Sequence, residues 1–141
     1  MTLELNFAQR YLLVVGGLFY LPFGLLLIVE PAAMFAKIGV LFGSAMALEE
    51  VRASHGGVWV LTGLFCIGSI WQRHWVKYLL FYLMVLNGGF AMGRIVSLLV
   101  GGIAATQILP LLGFDLLLLL SSVLLLRSEI VNPAGLEANP L

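Results

Sequence analysis

The chain has 141 residues, 62% of them apolar and only 10% charged, with seven basic and seven acidic side chains that cancel. A soluble domain is about 45–50% apolar and about 25% charged, so a small polytopic membrane protein is the class that remains. Neutrality removes the basic surface that nucleic acid requires as a partner, high hydrophobicity excludes disorder, and a lone Cys66 excludes a disulfide scaffold.

A helix crossing the roughly 30 Å hydrocarbon layer needs about 20 largely apolar residues. Tyr11 to Val29 is the first such run, closed by Glu30 and Pro31. It is too long for a signal-peptide core and no convincing small-x-small cleavage pattern follows, so it reads as a retained helix, kinked at Pro22. Pro31 to Glu50 contains Met34, Phe35, Ile38, Val40, Leu41, Phe42 and Met46 with one charge before its acidic end, Lys37. That is too apolar for a solvated loop and too interrupted for a span. An interfacial helix or re-entrant hairpin fits it.

Ala53 to Trp71 is the second span and includes His55 near its start. The third starts at Val76 or Tyr78, runs uncharged to Gly93, and continues past Arg94 to about Leu99. Gly101, Gly102, Thr106, Gln107 and Pro110 read as a connection. The fourth span, from Ile108 or Leu111 to Leu126, is leucine-rich, carries Asp115 and stops at Arg127. The expected fold is therefore all-α: a four-helix transmembrane bundle over residues 1–131, with an interfacial helix between its first two spans. Residues 132–141, with Pro133, Gly135 and Pro140, read as a flexible tail.

Four spans place both termini on one side, with Arg10, Arg73, Lys77 and Arg127; Lys37 and Arg52 fall on the other, with Arg94 near its boundary. That bias favours cytoplasmic termini. Ionisable groups inside a span cost several kcal/mol and normally face a partner or a cavity. Arg94 lies about 27 Å along the third helix from Val76, and Asp115 about 18 Å from Arg127, at 1.5 Å per residue. Both belong to the outer half, and an Arg94–Asp115 ion pair is expected.

Glu49, Glu50, Arg52 and His55 gather at the outer start of the second helix, with Glu49–Arg52 and Arg52–His55 each at i,i+3. Asn87 lies two turns before Arg94 and Ser97 one turn after it, so a polar column on the third helix is expected to face Arg52 and His55. The cluster reads either as an interhelical network that fixes packing or as an outer pocket for a polar head group or small anion. Gly89-x-x-x-Gly93 and the pair Gly56-Gly57 mark faces where helices pack closely. No metal site is expected: the spacings of Glu49 and Glu50 to His55 do not match a Glu-x-x-His carboxylate site, and a second ligand set is missing. Nor is a catalytic constellation or a cofactor box evident, so the chain does not read as an enzyme.

Glu50-Val-Arg52-Ala-Ser-His55-Gly56-Gly57, followed by Gly88-Gly89-Phe-Ala-Met-Gly93-Arg94-Ile-Val-Ser97, resembles the bacterial membrane proteins of the domain-of-unknown-function 4345 family. The likeness lies in an Arg-Ala-x-x-Gly-Gly start to the second helix and a Gly-x-x-x-Gly-Arg motif late in the third. An acidic residue early in the fourth helix, the place of Asp115, completes it. It implies a four-helix bundle in the bacterial inner membrane and no particular activity. Two functions remain: an accessory or structural subunit packing against a larger membrane complex, or a lipid- or small-molecule-binding protein, transporting as a self-associated oligomer, with Arg52, Arg94 and Asp115 at an outer pocket. The expected partners are membrane lipids and either other membrane-protein subunits or further copies of the chain.

Overall fold

A computed structural model describes residues 7–100 and 105–131 of the chain. Its elements are α1 (Phe7–Val29), α2 (Pro31–Ala36), α3 (Ala45–Val51), a π-helical turn at Arg52–Gly57, α4 (Val58–Gly68), a 3-10 turn at Arg73–Trp75, α5 (Val76–Val100) and α6 (Ala105–Val131). Among the described residues three helices, Phe7–Val29, Arg73–Val100 and Ile108–Ser128, are long and apolar enough to cross a membrane. The chain divides into two compact units, one from Leu5 to Gln72 and one from Arg73 onward. The expected tail and the Gly101-Gly102 connection lie outside the described residues.

In the first unit α1 packs against the π-helical turn and α4. The buried positions of α1, Gln9, Leu12, Leu13, Gly16, Gly17, Tyr20, Gly24 and Leu27, recur every three to four residues and form one face. Its glycines let two backbones meet. A Cβ on Gly24 would stand 2.5 Å from the Val60 amide nitrogen, and one on Gly63 2.5 Å from that of Leu21. Trp59 closes the contact above them, 5.9 Å from the Phe19 ring and 5.7 Å from that of Tyr20. Pro22 sits inside α1, which runs through it unbroken.

The second expected span, Ala53 to Trp71, is not one uniform α-helix. It is the π-helical turn followed by an eleven-residue α4, and the helical run reaches back through α3 to Ala45. Glycine at two successive positions weakens the α conformation by about 1 kcal/mol each relative to alanine, which eases the widening of the turn at Gly56-Gly57. The widened turn seats Gly56 against α1, where a Cβ would lie 2.7 Å from Ile28 Cγ1.

The apolar segment between α1 and α3 folds as two short helices and a turn. Pro31 opens α2 from the first helical position, where its missing N–H costs nothing. Beyond α2, Val40 N–H reaches the Phe35 carbonyl at 3.0 Å and Gly39 N–H reaches that of Ala36 at 3.0 Å. This paired pattern is a Schellman stop, and it needs a left-handed residue at Gly39, whose φ is 79°. Ser44 then caps α3, accepting from the Ala47 amide at 3.2 Å.

In the second unit α5 and α6 form a hairpin. Its buried positions include Leu79, Leu80, Leu83, Asn87 and Ala91 on α5, and Ile108, Leu112, Asp115, Leu118 and Ser122 on α6. Ala91, Ile108 and Leu112 cluster, with Leu98 against them. α6 starts earlier than expected: Thr106, Gln107 and Pro110 are helical and not connection. Pro110 falls near the N-terminus of the helix, where its ring costs a single hydrogen bond, and the leucine run beyond it sustains the helix.

Candidate functional site

Asp115 lies within α6, where its carboxylate would be an unpaired charge among apolar side chains. Arg94, late in α5, supplies the partner: its Nε donates to Asp115 Oδ2 at 2.5 Å. The aspartate side chain is 6% exposed and the arginine 30%. This is the ion pair expected from the depths of the two residues, and it ties α5 to α6. Two further polar side chains of α5 bond within their own helix. Asn87 Nδ2 donates to the Leu83 carbonyl at 2.8 Å, and Ser97 Oγ to that of Gly93 at 2.9 Å. Such back-bonding satisfies a polar side chain one turn along the same helix.

A second polar group occupies the first unit. Arg52 Nη1 pairs with Glu49 Oε1 at 2.8 Å, one turn back on α3, and Arg52 Nε donates to the Ile28 carbonyl at 3.1 Å. Ile28 is in the last turn of α1, where carbonyls have no partner within the helix. The guanidinium therefore caps α1 and places positive charge at the negative end of its dipole. Glu49 and Glu50 are exposed; Glu50 takes part through its carbonyl, which accepts from Ser54 Oγ at 2.5 Å.

His55 Nδ1 lies 2.9 Å from Ser54 Oγ. Because that hydroxyl already donates to Glu50, it accepts here, and the proton belongs on Nδ1 of His55. The imidazole stands between Phe35, at 6.0 Å, and Trp59, at 6.3 Å, and Phe35 also meets Phe42 at 5.3 Å. The sequence gives no signal for the parts played by Ser54, Phe35 and the Ile28 carbonyl, whereas Trp59, at i+4 from His55, has a spacing that could have found it.

Of the residues expected to form one cluster, Glu49, Glu50, Arg52 and His55 belong to the first unit, and Asn87, Arg94 and Asp115 to the second. Among the packing glycines, Gly56 meets α1 directly, whereas a Cβ on Gly57 would stand 3.7 Å from the Arg52 carbonyl oxygen, an ordinary contact. A Cβ on Gly89 or Gly93 would meet nothing within 4 Å among the described residues. The tightest glycine contacts among the described residues occur instead at Gly24 and Gly63. No group of three His, Cys, Asp or Glu among the described residues is placed to hold a metal ion.

These features define a class: a protein all-helical over its described residues, whose long helices are apolar enough to cross a membrane, with a largely buried Arg–Asp pair between two of them. The chain belongs to the family described as Domain of unknown function (DUF4345), which matches residues 8–126. No curated protein and no solved structure matches it.

Proposed function

We propose that this chain is a small integral protein of the bacterial inner membrane, with four spans and cytoplasmic termini, that serves as an accessory subunit of a larger membrane complex. The observation that carries the membrane part is that long apolar helices leave many large apolar side chains exposed while small and polar groups are buried beside their leucines. Small and polar groups (Gly16, Gly17, Gly24, Asn87, Asp115, Ser122) are buried, while Leu18, Phe81, Leu99 and Leu124 are exposed. In water that arrangement is costly; in lipid it is the expected one, because small residues and polar pairs drive helix association there. The π-helical turn and α4 supply the fourth span.

The accessory role is favoured over an anion pocket by the state of the two arginines. A pocket would need Arg52 and Arg94 turned to a ligand, and both are engaged by Glu49, the Ile28 carbonyl and Asp115. Extraction in mild detergent followed by native mass determination tests the reading. Stoichiometric co-purifying subunits support it. A homo-oligomer retaining a lipid or quinone supports the ligand-binding alternative, and a bare monomer contradicts both.

A further inference from the structure

We infer that the turn joining α2 to α3 is a rigid apolar knuckle that embeds in the head-group region of the bilayer, with Leu41 at its tip. The proposal rests on the membrane reading above and adds a contact with a stated occupant. Three observations support it. First, the turn carries large apolar side chains facing outward: Leu41 is 86% exposed, Ile38 55% and Met46, just beyond it, 70%. Large apolar residues left exposed close together in the chain fit a contact with a protein or a membrane.

Second, the turn is held in shape from behind. The two hydrogen bonds that close α2, the left-handed Gly39, and the Phe35 ring against both Phe42 and His55 tie its backbone to the rest of the unit. An apolar tip on an ordered support loses little entropy on insertion. Third, the occupant follows from position. α1, 23 residues long and apolar, ends at Val29, and α2 starts at Pro31, so the knuckle emerges where a spanning helix leaves the hydrocarbon. Lys37, exposed beside Ile38, adds a cation at the depth of lipid phosphates, and its aliphatic stem suits the same boundary. Apolar surfaces of this kind sit about 5–10 Å into the head-group and acyl boundary.

The test uses the full chain with Cys66→Ser, reconstituted in vesicles of phosphatidylcholine and phosphatidylglycerol at three to one. A nitroxide is placed in turn at Leu41→Cys, Ile38→Cys and, as a reference on exposed α1 surface, Leu18→Cys. Collisions with oxygen and with a water-soluble nickel chelate report depth. The expected result is that the labels at 41 and 38 collide more with oxygen than with the chelate, at a shallower depth than the label at 18. A lipid signal at 18 with an aqueous signal at 41 and 38 overturns the knuckle and leaves the membrane reading standing. An aqueous signal at 18 overturns both. Shielding of 41 from both reagents means a protein covers it, a second copy if dipolar broadening accompanies the shielding, and that also overturns the proposal.

Discussion

Removing one member of the Arg94–Asp115 pair tests the α5–α6 hairpin most directly. Asp115 is nearly inaccessible and Arg94 mostly so, and the pair links helices through a charge-assisted hydrogen bond. In soluble interiors, deleting one partner of a buried pair costs about 3–5 kcal/mol, because the survivor is left charged and unpaired. Within a membrane the unfolded reference state finds other partners, and interhelical hydrogen bonds average about 0.6 kcal/mol with a maximum near 1.7. An intermediate cost of about 2–3 kcal/mol is expected for Arg94→Met, which strands the more buried charge. Asp115→Leu, which strands a partly exposed guanidinium, is expected to cost somewhat less. The double variant Arg94→Met with Asp115→Leu removes both charges and should regain most of the loss, giving a coupling of at least about 1 kcal/mol, since contacting pairs couple by about 0.5–3. The charge swap Arg94→Asp with Asp115→Arg should likewise be more stable than either of its single variants. Reversible unfolding in mixed micelles of rising denaturing-detergent fraction, followed by circular dichroism, gives the four stabilities of the cycle. Additivity within about 0.3 kcal/mol would refute the pairing, as would a swap no better than its components.

The glycine contacts separate two helix faces. Gly63→Ala and Gly24→Ala place a methyl 2.5 Å from a backbone nitrogen, an overpacking expected to cost about 1–3 kcal/mol in the same detergent titration. Gly89→Ala and Gly93→Ala meet open space and should be neutral or stabilising by up to about 1 kcal/mol through helix propensity. Arg52→Met loses the pair with Glu49 and the cap on Ile28, whereas Glu49→Gln keeps the cap. The pair is largely exposed, so Glu49→Gln should change stability by less than about 1 kcal/mol, and Arg52→Met should exceed it and speed hydrogen exchange at the end of α1. Gly39→Ala forces a Cβ into the left-handed region at φ 79°, at a cost of about 1–2 kcal/mol. Gly39→Asn should retain more of the stability, and exchange of the Val40 amide would report the difference.

Three of the four expected spans were legible as long helices because they are long apolar runs, and the ion pair was legible because its two charges lie at matching positions along such runs. The π-helical turn was not legible. Gly56 and Gly57 read as a packing face, and nothing in their spacing distinguishes a widened turn from an α-helical one. Thr106, Gln107 and Pro110 read as connection because each is a weak helix former alone, but the leucines that follow carry the helix back through them. The segment from Pro31 to Glu50 was legible in composition and not in shape: its stop needs a left-handed Gly39, but the two backbone hydrogen bonds that close it can come from any residue except proline, so the glycine alone did not mark it.

Which face of each helix packs was the least legible property, and there is a physical reason. Hydropathy sorts residues by their preference for water, and it assigns a helix face only when water covers the other side. Here both sides of α1 are apolar, so the pattern that normally marks a core carries little information. What remains to choose a face is close approach and polar satisfaction, and the two units use different means. In the first, Gly24 and Gly63 let the backbones of α1 and α4 meet, and Arg52 closes the open end of α1. In the second, glycine is absent from the closest contacts described, and Asp115 can be buried only on the side where Arg94 waits. The rotation of α6 about its axis is thus set chiefly by one carboxylate among leucines, with Ser122 buried two turns further along the same face. Moving that carboxylate one position along α6, with Asp115→Leu and Leu116→Asp, turns it by about 100° at 3.6 residues per turn. The moved charge cannot reach Arg94 without rotating the helix, so this variant should be no more stable than Asp115→Leu alone. Recovery of wild-type stability would mean that proximity along the chain, and not the geometry of the pair, holds the hairpin together.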